Sequence, residues 1–79
     1  MAAGDAEPAG DEVEAERERR ARLVHDLRTP LTIVGGFADL LERGGDEITP
    51  DRRAEFVTRI ADGARELRRI LDEERDGRL

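Results

Sequence analysis

Apolar residues at Val24, Leu27, Leu31, Val34, Ala38 and Leu41 step along the chain by alternating threes and fours. That is the rhythm of a helix lying in a bundle seam. At about 100° per residue the six occupy roughly 100° of arc, with Leu23 on the same face, so the stretch is one amphipathic helix whose stripe needs a partner. Upstream, Asp11 followed by Glu14 is a capping-box-like start, and Glu16→Arg20 and Glu18→Arg22 are favourable i,i+4 pairs. Downstream, Gly44-Gly45 supplies a stop. The first helix is therefore expected over about residues 11–43, on the order of 50 Å long. Thr49-Pro50 restarts a helix with an N-cap hydroxyl and an N1 proline, and Asp51 falls in its first turn. This second helix, about residues 50–76, carries Phe56, Val57, Ile60, Ala64, Leu67, Ile70 and Leu71 on one face. Residues 1–10 have nothing to pack and are expected to form a disordered tail; residues 77–79 close the chain.

A connection of about five residues makes the two helices antiparallel. Each stripe is wider than one partner covers. The chain has 79 residues, 43% of them charged and 3% aromatic, and below about 70–80 residues a single core rarely supplies more than roughly 3–5 kcal/mol. Self-association completes the core, so the fold class is all-α: an antiparallel two-helix hairpin that homodimerises into a four-helix bundle. An isolated hairpin or plain coiled coil is the simpler alternative.

Composition removes several functions. The net charge is −6 and all fourteen basic residues are Arg, interleaved with Asp and Glu, so no basic stripe exists for nucleic acid. No cysteine and a single histidine argue against a metal site or disulfides, and a reducing compartment follows more easily. No apolar run approaches the roughly 20 residues of a membrane span. Membrane contact by this segment is not expected.

The chemistry-bearing stretch is Val24-His25-Asp26-Leu27-Arg28-Thr29-Pro30-Leu31. His25 lies roughly 160° from the stripe, so it points away from the core and shares its face with Thr29, Thr32 and Gly36. Asp26 can accept a hydrogen bond from one ring N–H, fixing the tautomer and leaving the other nitrogen as a nucleophile, or act as a general base. An ordinary exposed histidine is the plainer reading of the same position. Pro30 cannot donate to the carbonyl of Asp26, at a cost of about 3 kcal/mol inside a helix, and Gly35-Gly36 follow. Together they are either a tolerated kink or a hinge one turn from His25. Ile33 and Leu40 lie about 120–140° off the stripe near the His25 face, either filling a second seam or forming an exposed docking patch.

The run His25-Asp26-Leu27-Arg28-Thr29-Pro30-Leu31-Thr32, with Ile33-Val34-Gly35-Gly36-Phe37-Ala38-Asp39-Leu40-Leu41 behind it, resembles the first helix of the dimerisation and histidine-phosphotransfer (HisKA-type) domain of two-component sensor histidine kinases. The spacing of Ile60, Leu67 and Leu71 is similar to its second helix, and the likeness covers roughly residues 15–75. The resemblance implies that His25 is the phosphoacceptor, taking the γ-phosphoryl group of ATP and relaying it to an aspartate of a response regulator. Asp26 is implied as acid/base partner. Thr29 matches the position that orients a water when such domains dephosphorylate their regulator, through the pattern Asp26-Leu27-Arg28-Thr29. Arg28 and Pro30 occupy family positions tied to charge near the phosphoryl group and to helix bending.

Histidine kinases also need an ATP-binding domain, and neither Gly35-Gly36 nor Gly44-Gly45 has the spacing of a phosphate loop. The expectation is a phosphotransfer segment that binds no cofactor and does not autophosphorylate alone, with ATP and Mg²⁺ supplied by a separate catalytic domain. The implied partners are a second copy of the chain, a response-regulator receiver domain and that ATP-binding domain, at a cytoplasmic location within a parent that is anchored in a membrane or not. The contrasting function is a purely structural dimerisation module whose histidine is never phosphorylated.

Overall fold

The computed structural model describes residues 2–77, with side chains from Gly10 onward. Helix α1 (Ala2–Gly44) leads through a 3₁₀ turn (Gly45–Glu47) into helix α2 (Pro50–Arg75), and the described residues contain no strand. The sequence placed the helix start near Asp11 with residues 1–10 disordered; α1 instead begins at Ala2. Ala2, Ala3, Ala6 and Ala9 are the strongest helix formers. Met1 and residues 78–79 lie outside the described residues, and with them the outer ends of the expected tail and chain end.

The turn forms as its residue types require. Gly45 takes φ +51°, in the left-handed region where a side chain would be strained. Thr49 caps α2: its Oγ1 accepts the Arg52 backbone N–H at 3.2 Å, and Pro50 occupies the first turn, where its missing N–H costs nothing. Arg53 reaches back to donate to the Gly45 carbonyl at 2.8 Å, tying the start of α2 to the turn.

The molecule measures 71 × 21 × 11 Å, so it is one helix thick. A slab that thin has almost no inside: Pro30, Gly63 and Ile70 are the only buried residues among those described, and Ile70 is the one buried hydrophobic side chain.

The apolar stripe of α1 consequently divides in two. Leu23, Leu27, Pro30, Val34, Phe37 and Leu41 are shielded, facing Phe56, Ile60, Gly63, Leu67 and Ile70 of α2. Val24, Leu31 and Ala38, expected on the same face, stay exposed, as do Val57 and Leu71. The difference is geometric, since one antiparallel neighbour covers only the central strip of a face roughly 100° wide. Phe37, absent from the expected stripe, stacks tilted on Phe56 with ring centroids 5.3 Å apart, a favourable aromatic geometry.

The two helices approach closely at Gly63. A Cβ there would lie 2.7 Å from Val34 Cγ2 and 3.2 Å from the Pro30 carbonyl oxygen. Helix α1 runs unbroken through Pro30. Pro30 is buried where its carbonyl oxygen faces Gly63, a residue with no side chain.

Candidate functional site

His25 projects from the flank of α1 with its side chain 87% exposed. Its Nδ1 lies 3.3 Å from Asp26 Oδ1. In the tautomer carrying the proton on Nδ1, that N–H donates to the carboxylate, and the Nε2 lone pair faces solvent. Such an arrangement leaves one nitrogen committed and the other nucleophilic. The expected His25–Asp26 contact is therefore present, and it is local, made between neighbours on one helix.

The rest of the neighbourhood comes from α2, and the sequence did not single it out. His25, Asp26 and Thr29 share a groove of about 300 Å³ with Glu66, Arg69 and Glu73. Arg69 grips Glu66 with two hydrogen bonds, Nε to Oε2 at 3.1 Å and Nη2 to Oε1 at 2.5 Å, and reaches Glu73 Oε1 through Nη1 at 2.6 Å. The hydrogen bond from Arg69 holds the Glu66 carboxyl below its ordinary range. The same bond, with the second one to Glu73, holds the Arg69 guanidinium more firmly protonated still. The spacing of Glu66, Arg69 and Glu73 is legible as i,i+3 and i,i+4 pairing; only the antiparallel register sets it beside His25.

A second groove of about 320 Å³ continues along the same side, where Asp26, Thr29 and Ile33 face Arg59, Asp62 and Glu66. Below it Ile33 and Leu40, 40% and 49% exposed, flank a nearly apolar depression with Thr32, Gly36 and Phe37. Ile33 and Leu40 thus lie on the His25 side of the hairpin, across the seam from Val24, Leu31, Val57 and Leu71. Arg28 is exposed on α1, while Pro30 is buried and reaches the groove wall rather than the imidazole.

Among the described residues no group of three or more His, Cys, Asp or Glu is placed to hold a metal ion. No helix is long and apolar enough to cross a membrane, again among the described residues.

The site is an exposed imidazole beside its neighbouring carboxylate, on the side of a small helical hairpin. The family described as His Kinase A (phospho-acceptor) domain matches residues 16–76, and the chain belongs to that family. It is thereby assigned to the phosphoacceptor and dimerisation domains of histidine kinases, in two-component systems. No curated protein and no solved structure matches the chain.

Proposed function

We propose that His25 accepts the γ-phosphoryl group of ATP on Nε2 and passes it to an aspartate of a response-regulator receiver domain. As the Nε2–P bond forms, the bond from phosphorus to the bridging oxygen breaks and ADP leaves with that electron pair. Asp26 holds the Nδ1 proton, keeps Nε2 the free nitrogen, and takes the proton as positive charge develops on the ring. ATP and Mg²⁺ are supplied by a separate catalytic domain. Phosphoryl transfer passes through a loose transition state, so what the chain contributes is mainly position and charge. Thr29 lies one helical turn from His25, on the groove, where its hydroxyl can orient a water against a phosphorylated receiver. Arg28 contributes positive charge near the phosphoryl group.

The observation that carries this reading is the exposed His25 ring with Nδ1 3.3 Å from Asp26. The receiver docks along the groove below the histidine, with Ile33 and Leu40 as its apolar contacts. The opposite face, Val24, Leu31, Val57 and Leu71, is covered by a second copy of the chain, completing a four-helix bundle. A cytoplasmic location fits a reaction that consumes ATP.

The test is incubation with γ-labelled ATP and Mg²⁺, with and without the ATP-binding domain of a HisKA kinase in trans. Acid-labile label is expected on the chain only when that domain is present, and none on His25→Gln. Label that survives His25→Gln would overturn the assignment. The exposed apolar face on its own also suits a purely structural dimerisation module. Under that reading His25→Gln changes neither self-association nor labelling, because no label forms.

A further inference from the structure

The groove beside His25 has an unfavourable charge balance for a phosphorylated histidine. Asp26, Glu66 and Glu73 contribute three carboxylates and Arg69 the one cation among its described lining residues. A phosphoryl group on Nε2 adds further negative charge to that side of the hairpin. Arg69 is the cation of that groove that can offset it alongside Arg28 of α1, and it is occupied: Glu66 holds it through two hydrogen bonds and Glu73 through a third. Those pairs are exposed, with side-chain accessibilities of 54% for Arg69, 45% for Glu66 and 29% for Glu73. Exposed pairs between long side chains are weak and readily exchanged. A phosphoryl group is a stronger, geometrically matched acceptor for a guanidinium.

We propose that Arg69 is the residue that positions the phosphoryl group on His25, exchanging a glutamate partner for phosphoryl oxygens, while Glu66 and Glu73 compete for it and keep the phosphorylated state poised for transfer. This rests on His25 being the phosphoacceptor and adds a residue of α2 to the reaction. In the unmodified chain the two carboxylates hold Arg69 extended along α2. Once Nε2 carries phosphorus, one guanidinium edge turns to it and the other remains with a glutamate. The competition sets how long the phosphoryl group persists and how readily a receiver aspartate removes it. A guanidinium held only by phosphoryl oxygens would make the intermediate too stable, and one held only by carboxylates would leave the added charge unopposed from α2.

The experiment loads the chain with potassium phosphoramidate, which needs no kinase domain. Nε2 attacks phosphorus, the P–N bond breaks, and ammonia leaves with the bonding pair; the proton given up by Nδ1 through Asp26 converts that ammonia to ammonium. The phosphorus-31 shift is then followed against pH in wild type, Arg69→Gln, Arg69→Lys and Glu66→Gln/Glu73→Gln. A nearby cation favours the more charged phosphoryl form. Arg69→Gln should therefore raise the titration midpoint by roughly half a unit to one unit, with Arg69→Lys recovering part of the shift. The double glutamine variant should lower the midpoint and slow phosphoryl loss severalfold. Melting curves of the same samples report folding separately, and a purely structural Arg69 would move melting without moving the midpoint. Identical midpoints in wild type and Arg69→Gln would overturn the proposal even if His25 is labelled from ATP. A wild-type chain that takes no phosphoryl group on His25 from either donor would remove both this proposal and the reading beneath it.

Discussion

Replacing Gly63 with alanine tests a close contact between the two helices. The added methyl would sit 2.7 Å from Val34 Cγ2 and 3.2 Å from the Pro30 carbonyl oxygen, where ordinary carbon contacts lie at about 3.5–4.0 Å. Neither neighbour yields easily. Valine in a helix has one strongly preferred rotamer, and the other atom is backbone. Overpacking of this kind costs about 1–3 kcal/mol, against which alanine gains about 1 kcal/mol of helix propensity over glycine. The firmness of both neighbours places the cost in the upper part of its range, for a net loss of about 1–2 kcal/mol. In a domain of this size each kcal/mol lowers Tm by roughly 4–8 °C. Gly36→Ala is the control, because nothing lies within 4 Å of a Cβ at that position. It should stabilise by roughly 0.5–1 kcal/mol. Urea denaturation at one fixed chain concentration measures both, with unchanged slope expected. Val34→Ala added to Gly63→Ala should recover part of the loss, since it removes the atom the new methyl strikes. A Gly63→Ala chain as stable as Gly36→Ala would refute the close approach.

Two further outcomes are expected. Leu31→Glu places a charge at the centre of the uncovered face, so sedimentation or light scattering should show the dimer weakened at least tenfold while helical content at high concentration is retained; an unchanged dimer would move the interface elsewhere. Glu66 has a depressed pKa in the folded chain, so its contribution to stability is present above the ordinary glutamate range and is lost as pH falls through the lowered value. The difference in Tm between wild type and Glu66→Gln should therefore be present at pH 7, begin to fall once pH drops below the ordinary glutamate value of about 4.3, vanish only below the lowered value, and shrink in about 1 M salt; a difference that persists below that would separate it from the Arg69 pairing.

The helices and their order were legible because period, caps and breakers agree. Thr49-Pro50 and Gly45 act where their residue types require, and His25 lies off the apolar stripe as its register demands. What eluded the sequence depends on where α2 falls against α1. A single wide stripe does not say which half meets the intramolecular partner, so Val24 and Leu31 could not be told from Leu27 and Val34. Gly63 looks like a helix-weakening residue until Pro30 is known to lie opposite it. The Glu66–Arg69–Glu73 cluster looks like an ordinary solvated face until the antiparallel register sets it across from the imidazole. The N-terminal residues, low in bulky apolar side chains, gave no periodic signal, and alanine content alone did not distinguish helix from tail.

The 11 Å thickness of the hairpin has a consequence for abundance. With both broad sides wet, a lone copy retains little that resists opening, and under the proposed pairing association with a second copy would supply much of the free energy that keeps the helices in register. The walls around the imidazole are then maintained by how many copies are present. Dilution should dissolve the reactive groove together with the pairing, so that phosphoryl capacity per molecule falls as the chain becomes scarce.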